Sequence, residues 1–417
     1  TSHILFRETS PAWVRALDNP YWLDDGSFIW LSERSGWNHI YHYDQNHQLL
    51  GSVTDGDWDV RKIHGIDPDG DWIYFSGTEH SLTATHTYRV RLDGTGLERL
   101  TQREGTHESA VSPTFRYFID IWSNVATPPE VRLHQIPGQE SSESREDAKL
   151  LNTDLVPTLN DYAWGRTELT DIPARDGFRL PGMMIRPPDF DAGRKYPVLC
   201  HVYGGPMTPR VQDAWGGSIH AWHHMLAQRG SIVWVLDNRS SSGRGAVRSW
   251  PIYRRLGETE LSDLEDGIAW LKSQRYVDPE RLGIWGWSFG GYLSAYAMTH
   301  SSLFRMGIAG APVTDWSLYN SIYTERYMTQ PSNNPLGYRN SSVLEAADRL
   351  EGKLLILHGT MDDNVHIEHS LRLVHKLQKA GKDFQTMFYP QSKHKIEDSE
   401  QLHHMQGVMT NFILENL

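Results

Sequence analysis

Leu282-Gly283-Ile284-Trp285-Gly286-Trp287-Ser288-Phe289-Gly290-Gly291 is the stretch of this 417-residue chain from which its fold can be predicted. It places G-x-S-x-G between an apolar strand pattern and a helical pattern. In such a turn the serine projects its hydroxyl above the sheet, and the flanking glycines let the strand and helix backbones approach closely. The N–H of Phe289 would open the helix and point at developing negative charge. We therefore predict that Ser288 is a nucleophile, although the bare motif without this placement would be weak.

Strand and helix patterns alternate on both sides of this stretch. The predicted strands are Tyr196–Tyr203, Ser231–Asp237, Arg281–Trp287, Phe304–Ala309, Lys353–His358 and Phe384–Tyr389. The predicted helices are Leu261–Gln274, Phe289–Thr299, Ile367–Lys379 and Gln401–Leu417. Buried apolar strands that alternate with helices indicate a mostly parallel sheet with helices on both faces. We therefore predict an α/β-hydrolase catalytic domain over residues 151–417.

Two loops after predicted strands could supply the partners of Ser288. A serine hydroxyl is a poor nucleophile at neutral pH and needs a base, which in turn needs an orienting carboxylate. In α/β-hydrolases the order along the chain is Ser, then Asp, then His. Asp362 and Asp363 both follow the strand that ends at His358, so the residues alone leave the choice between them open. Among the 21 histidines, His394 is predicted to be the base because it follows the final strand in a loop.

The first 150 residues show short strands separated by turns. Asp25-Gly26-Ser27-Phe28-Ile29-Trp30 is echoed 44 residues later by Asp69-Gly70-Asp71-Trp72-Ile73-Tyr74, and more weakly by Arg116-Tyr117-Phe118-Ile119. A period of about 40–50 residues is typical of propeller blades, and a closed propeller has about 4–8 of them. We predict a partial β-propeller of about three blades over residues 1–150, with a β-sandwich as the alternative. The chain is therefore expected to be a fragment of a longer protein.

Composition argues against several classes of function. The net charge of -12 lacks the basic excess that a nucleic-acid partner requires. No run approaches the about 18 apolar residues of a membrane span. His220, His223 and His224 share a predicted helix without an H-E-x-x-H pattern, so we expect packing and surface residues and no metal site. No phosphate-binding glycine loop follows a strand, so we expect no nucleotide cofactor. Cys200 is the only cysteine and leaves the compartment open, the periplasm and other extracytoplasmic spaces included.

Three strings resemble the dipeptidyl peptidase IV branch of the prolyl oligopeptidase family of serine peptidases. They are GWSFGGY around Ser288, Tyr323-Thr324-Glu325-Arg326-Tyr327-Met328, and His358-Gly359-Thr360-Met361-Asp362-Asp363-Asn364-Val365-His366. The likeness covers the α/β half and extends loosely into the blades. It implies that Asp362 is the triad aspartate, and that Tyr203 and the N–H of Phe289 form the oxyanion hole. It also implies that Asn364 hydrogen-bonds the substrate backbone. The residues that it assigns to a proline-accepting pocket are Val313, Trp316, Tyr319, Tyr323 and Val365.

The resemblance implies a serine exopeptidase that releases Xaa-Pro or Xaa-Ala dipeptides from peptide N-termini through an acyl-enzyme. Two departures count against a simple transfer. Lys395 follows His394 where the family usually has Gly, and the chain has no match to the propeller glutamates that bind the substrate's free amino group. We therefore expect the N-terminus-binding part to be absent from these residues. An acylaminoacyl peptidase or esterase, and an inactive propeller-based binding protein, stay open as alternatives. The expected partner is a peptide substrate, and the family's frequent homodimers make a homodimer a further expectation.

Overall fold

The computed structural model of the protein describes residues 4–15, 19–67, 71–136, 149–152 and 161–417. The chain divides into two compact units. The first comprises Thr1–Tyr162, Gln212–Gly217 and Gly243–Arg248, and the second comprises the three segments Ala163–Val211, Ser218–Ser242 and Ser249–Leu417. The predicted boundary between residues 150 and 151 falls inside a strand of the first unit.

The described part of the first unit contains three four-stranded antiparallel sheets, each with its strands in chain order. The strands of the first sheet are β1 (Tyr21–Trp22), β2 (Phe28–Ser32), β3 (His39–Tyr43) and β4 (Leu49–Ser52). Those of the second are β5 (Val60–Asp67), β6 (Trp72–Gly77), β7 (His86–Arg91) and β8 (Glu98–Arg99). Those of the third are β9 (Thr106–Val111), β10 (Tyr117–Asn124), β11 (Thr127–Gln135) and β12 (Lys149–Asn152).

The sequence repeat has a structural counterpart in these sheets. Its echoed apolar residues lie on β2, β6 and β10, which are the second strands of their sheets. Asp69 and Gly70 of the repeat lie outside the described residues. Ile29 of the first sheet and Ile73 and Phe75 of the second are fully buried in one cluster, because each sheet covers an apolar face of the next. The predicted fold class of propeller blades followed by an α/β-hydrolase is confirmed.

The second unit is built on an eight-stranded sheet whose spatial order is β13-β14-β16-β15-β17-β18-β19-β20. Its strands are β13 (Thr167–Pro173), β14 (Arg179–Ile185), β15 (Tyr196–His201), β16 (Ile232–Leu236), β17 (Val277–Trp287), β18 (Met306–Gly310), β19 (Lys353–Gly359) and β20 (Gln385–Tyr389). The strand pairs from β16 to β20 are parallel, whereas β14 pairs antiparallel with both of its neighbours. The predicted strands correspond to β15–β20, and the antiparallel pair β13–β14 was not predicted.

Helices occupy the connections between these strands. In the described residues the α-helices are α1 (Gly217–Gln228), α2 (Ala246–Ser249), α3 (Glu258–Lys272), α4 (Phe289–His300), α5 (Ser321–Met328), α6 (Pro335–Asn340), α7 (Glu368–Lys379) and α8 (Ser399–Asn416). Trp285 and Leu355 of the sheet and Phe412 and Ile413 of α8 share one buried cluster, so the terminal helix packs against the sheet. Parallel strands place their carboxyl ends at one edge, and the loops that carry Ser288, Asp362 and His394 all begin at that edge.

A buried carboxyl group lies in the first turn of α3. The side chain of Glu260 is fully buried, and its Oε2 accepts a hydrogen bond from the N–H of Gly257 at 2.9 Å. Its Oε1 has no hydrogen-bond partner among the described residues. Burial raises the pKa of Glu260 from an ordinary value of 4.5 to about 8. The carboxyl group is therefore protonated in the folded protein at neutral pH.

This burial predicts that Glu260 makes folding stability depend on pH. Because the folded pKa lies above the unfolded one, the contribution of the group is full below pH 4.5 and is lost as pH rises towards 8. Glu260→Gln keeps an oxygen acceptor for Gly257 and removes the titration. We expect the melting temperature of the variant, relative to the native chain, to rise progressively between pH 5 and pH 8. Thermal unfolding followed by circular dichroism checks this, with the exposed Glu280→Gln as control. A difference that did not change with pH would contradict it.

Candidate active site

Ser288 occupies the sharp turn between β17 and α4. Its backbone has φ 62° and ψ −119°, a region that residues other than glycine rarely adopt. The N–H of Ser288 donates to the carbonyl of Gly310 at 2.8 Å, and its own carbonyl accepts from the N–H of Tyr292 at 2.9 Å. These bonds to β18 and to the first turn of α4 hold the serine in its strained conformation.

Two glycines of the motif are required by the close approach of neighbouring backbones. A Cβ on Gly286 would lie 2.4 Å from the carbonyl oxygen of Val202, and a Cβ on Gly290 would lie 2.3 Å from that same oxygen. No larger residue fits at either position without moving the end of β15. The motif thus has the physical basis that the sequence analysis predicted for it.

The structure brings together the three side chains that were predicted to cooperate. His394 Nε2 lies 2.9 Å from Ser288 Oγ, and His394 Nδ1 lies 2.7 Å from Asp362 Oδ2. Because Nδ1 faces a carboxylate, it carries the ring proton. Nε2 is then unprotonated and accepts a hydrogen bond from the Ser288 hydroxyl. The indole N–H of Trp287 donates to the carbonyl of His394 at 2.8 Å and ties the histidine loop to the end of β17.

The geometry distinguishes Asp362 from its neighbour Asp363. Asp362 is buried, and its Oδ1 accepts the backbone N–H groups of Asn364 and Val365, both at 2.9 Å. Burial opposes its ionisation, but hydrogen bonds from His358 and His394 outweigh burial and hold the pKa of Asp362 well below its ordinary value. Asp363 is exposed and accepts a hydrogen bond from Lys393 Nζ at 3.3 Å.

Lys395, which replaces the glycine usual in the family, fits its position without strain. Its side chain is exposed, and its backbone φ is not positive. A left-handed backbone that would require glycine is therefore not present after His394.

His358 is a second histidine on the Asp362 carboxylate, and sequence reasoning gave it no role. Its Nε2 lies 3.1 Å from Asp362 Oδ2 and 2.7 Å from the carbonyl of Val365, and its Nδ1 lies 2.7 Å from Ser370 Oγ. The ring is fully buried. Since Nε2 faces two acceptors it carries the proton, and Nδ1 accepts from the Ser370 hydroxyl. Its place at the end of β19, four residues before Asp362, was the available signal.

We expect His358 to act as a positioning residue for Asp362, and two amides can test this. The amide of Gln reaches the position of Nε2, whereas that of Asn reaches only the position of Nδ1. His358→Asn should lower kcat by about tenfold with little change in KM, since a hydrogen bond to a charged group contributes about 1.5–3 kcal/mol. His358→Gln should retain most of the activity. The control is the exposed His366→Gln, and equal losses in the Asn and Gln variants would indicate a merely structural role.

The predicted oxyanion-hole residues lie beside one another. Tyr203 is half-buried just beyond β15, with its ring centroid 6.2 Å from that of Phe289. The guanidinium carbon of Arg210 lies 4.5 Å from the centre of the Tyr203 ring. Burial raises the pKa of Tyr203 above its ordinary value, so its hydroxyl keeps a proton to donate.

Three of the predicted pocket residues, Trp316, Tyr319 and Tyr323, form an aromatic cluster beside Phe289. The ring of Trp316 stacks on Tyr323 with centroids 6.0 Å apart and meets Tyr319 edge-on at 5.8 Å. Phe289, next to Ser288, lies 5.3 Å from Trp316. The Tyr319 hydroxyl donates to Asn364 Oδ1 at 2.5 Å, which connects the cluster to the Asp362 loop. Val313 and Val365 are both buried.

The histidines that were weighed as metal ligands lie on α1, where His220, His223 and His224 are all buried. The Nδ1 of His224 accepts the N–H of Gly165 at 3.1 Å, and its Nε2 lies 3.0 Å from that of His220. All three therefore pack inside the second unit, and the expectation of surface positions among them was wrong. Within the described ranges, no helix has both the length and the apolar character needed to cross a membrane.

Comparisons with known proteins identify the family. Residues 219–417 match the model of the prolyl oligopeptidase family, and residues 1–129 match that of the dipeptidyl peptidase IV N-terminal region. The chain belongs to the dipeptidyl peptidase IV branch of the prolyl oligopeptidase family. Dipeptidyl peptidase 8 of Homo sapiens is 33% identical in an alignment 457 residues long, which covers 100% of this chain and 51% of that protein. Dipeptidyl peptidase 4 of Sus scrofa is 32% identical over 410 residues, 94% of this chain and 52% of that protein.

Solved structures of this peptidase family share the fold. The crystal structure of Porphyromonas gingivalis dipeptidyl peptidase 4 has a TM-score of 0.89 and 32% identity, and the match covers 95% of this chain and 56% of that one. A putative dipeptidyl aminopeptidase IV from Bacteroides ovatus has a TM-score of 0.89 and 30% identity, covering 98% of this chain and 60% of that one. This chain spans about half the length of the curated relatives it matches.

Proposed function

We propose that the protein is a serine dipeptidyl peptidase that releases Xaa-Pro or Xaa-Ala dipeptides from the N-termini of peptides. The observation that carries the proposal is a pair of hydrogen bonds that link the three side chains. One joins Ser288 Oγ to His394 Nε2 at 2.9 Å, and the other joins His394 Nδ1 to Asp362 Oδ2 at 2.7 Å. An imidazole so placed can take the hydroxyl proton as the serine attacks. The names of the relatives support dipeptide release as the reaction.

In the proposed reaction Ser288 Oγ attacks the carbonyl carbon that follows the second substrate residue, and His394 Nε2 takes the hydroxyl proton. The Asp362 carboxylate stabilises the imidazolium that forms. The Tyr203 hydroxyl and the Phe289 N–H donate to the oxyanion of the tetrahedral intermediate. His394 then protonates the leaving amine, and an acyl-enzyme remains on Ser288. Water hydrolyses this ester by the same proton transfers in reverse.

The aromatic cluster supports specificity for a proline or alanine at the second position. Trp316, Tyr319 and Tyr323 present flat apolar faces, which suit a pyrrolidine ring that has no N–H to satisfy. Val313 and Val365 would complete the apolar wall, and the Asn364 amide would hydrogen-bond the substrate backbone. Its Oδ1 accepts a hydrogen bond from Tyr319, so the amide is held by that hydroxyl.

A fluorophosphonate probe tests the nucleophile directly. Attack by Ser288 Oγ on phosphorus expels fluoride and leaves a stable phosphonyl ester, which mass spectrometry locates on one peptide. We expect labelling at Ser288 that heat denaturation abolishes. A folded sample that stays unlabelled at Ser288 would overturn the proposal.

Chromogenic substrates then test the specificity on the full-length protein. Gly-Pro and Gly-Ala p-nitroanilides should be hydrolysed in preference to their N-acetylated forms, because a dipeptidyl peptidase requires a free amino terminus. Preference for acetyl-amino-acid anilides would favour an acylaminoacyl peptidase, and turnover restricted to p-nitrophenyl esters would favour an esterase.

A further inference from the structure

Three side chains with metal-binding groups converge in the first unit, far along the chain from Ser288. His80 follows β6, His86 begins β7 and Glu104 follows β8, and the ligand atoms of the three all lie within 4.8 Å of one another. His80 Nε2 lies 2.9 Å from Glu104 Oε1 and 3.1 Å from Oε2. The rings of His80 and His86 are nearly perpendicular, with centroids 5.1 Å apart.

The environment of His86 is not explained by a simple ion pair between His80 and Glu104. Its side chain is 0% exposed, and its Nδ1 lies 3.1 Å from Thr101 Oγ1. Its Nε2 is buried and has no hydrogen-bond partner among the described residues. Buried polar atoms nearly always have a partner, so an unpartnered ring nitrogen requires a physical reason. If Nδ1–H donates to Thr101, Nε2 offers a lone pair, which is the state in which histidine binds a metal.

Neighbouring hydrogen bonds fix the backbones of the other two ligands, His80 and Glu104. The backbone N–H of His80 donates to the Tyr88 hydroxyl at 2.9 Å, and the carbonyl of Glu104 accepts from the indole N–H of Trp122 at 2.9 Å. The side chains of His80 and Glu104 are 35% and 70% exposed, so both can shift by about an ångström towards a shared ion, and solvent reaches the site.

His107 lies close to this group but is already engaged. Its ring centroid is 4.9 Å from that of His86. However, its Nδ1 lies 2.7 Å from Asp120 Oδ2, and its Nε2 lies 2.9 Å from the carbonyl of Arg103. Both ring nitrogens of His107 therefore have partners, which leaves three protein ligands at this position among the residues that the structure describes.

We propose that His80, His86 and Glu104 bind one divalent transition-metal cation, with Zn²⁺ as the fitting ion. Two imidazoles and one carboxylate are a zinc ligand set that leaves a fourth position for water. Imidazole donors favour such ions over Mg²⁺ and Ca²⁺, which prefer all-oxygen sites. The hydrogen bond between His80 and Glu104 lies where the ion would bind, and binding would separate the two side chains. These three ligands come from separate turns, so no short spacing in the sequence marks them as a site.

Such an ion would join the loop after β6 to the segment after β8 within one sheet. Metal bound only by the folded state stabilises that state in proportion to its affinity. We therefore expect Zn²⁺ to raise the melting temperature of the first unit. This proposal does not depend on peptidase activity.

Zinc titration of the metal-free 417-residue chain, in competition with a chromogenic chelator, tests the site. We expect one tight equivalent of Zn²⁺, no competition by Mg²⁺ or Ca²⁺, and a rise in melting temperature with added zinc. Glu104→Gln and His80→Gln should each weaken zinc affinity by more than about tenfold and reduce the thermal shift. Both positions are exposed, so these variants carry the test without disturbing the buried His86.

His375→Gln is the matched control, since it removes one exposed histidine on α7 in the second unit. It should bind zinc as the native chain does. The proposal is overturned if no tight equivalent binds, or if Glu104→Gln and His80→Gln retain the affinity of native chain and control. Because the readouts are metal content and melting temperature, an inactive Ser288 would leave them unchanged.

Discussion

Asp362→Asn should lower kcat for dipeptide release by roughly 10⁴-fold, as in triads where this change leaves the imidazole in the wrong tautomer. The reason is specific to the contacts of this carboxylate. Its two oxygens accept four hydrogen bonds, from the N–H groups of Asn364 and Val365 and from the rings of His394 and His358. An asparagine side chain has one oxygen and one NH₂ group, so it must place donors against donors on one side.

Either orientation of that asparagine is unfavourable. If its oxygen faces the backbone amides, its NH₂ group faces His394 Nδ1, which must then lose its proton, so that Nε2 becomes protonated and can no longer accept from Ser288. If its oxygen faces His394, the N–H groups of Asn364 and Val365 lose their acceptor, and leaving the buried N–H of Val365 unpaired costs about 1–3 kcal/mol. We therefore expect a lower melting temperature in addition to the loss of turnover.

Asp363→Asn is the matched control for this prediction. The side chain of Asp363 is exposed and interacts with Lys393, so its removal should leave kcat within a factor of about two, as is usual for exposed ion pairs. Steady-state kinetics of both variants with Gly-Pro-p-nitroanilide, together with thermal unfolding, provide the measurement. If the two substitutions had equal effects, Asp362 would not be the partner of His394 in catalysis.

Ser288→Ala and Ser288→Gly should both abolish fluorophosphonate labelling and lower kcat by about 10⁶-fold, because the nucleophile is absent. Their stabilities should differ. At φ 62° the backbone of residue 288 is unfavourable for any side chain with a Cβ. We therefore expect the free energy of unfolding of Ser288→Gly to exceed that of Ser288→Ala by about 1–2 kcal/mol.

The same pair of substitutions at Ser301 is the control for this stability effect. Ser301 follows the last residue of α4 with φ −147°, an extended conformation that alanine adopts as readily as glycine. There, Ser301→Gly should be no more stable than Ser301→Ala. Urea unfolding of the four variants measures the differences, and a Ser288→Gly variant less stable than Ser288→Ala would show that the turn stores no strain.

Local sequence patterns were sufficient for the strands β15–β20, for four of the helices and for the sharp turn that carries Ser288. The apolar runs predicted β15–β20 and the helices α3, α4, α7 and α8, because burial of a strand or a helix face imposes a period within a few residues. The G-x-S-x-G pattern predicted the turn at Ser288, and its glycines are required because a Cβ on Gly286 or Gly290 would lie 2.3–2.4 Å from the carbonyl oxygen of Val202. The repeat near 44 residues likewise predicted about three blades, and its apolar residues lie on the second strands of three sheets.

Only the tertiary structure decided which polar atoms meet. The carboxylates of Asp362 and Asp363 are equivalent in the sequence, and the turn after β19 directs one to His394 and the other to solvent. His358 and His86 contact residues from other parts of the chain, Ser370 and Thr101, and no local period records these contacts. The physical reason is that hydrogen bonds and metal ligands depend on separations of about 3 Å between atoms that the chain brings together only after it has folded.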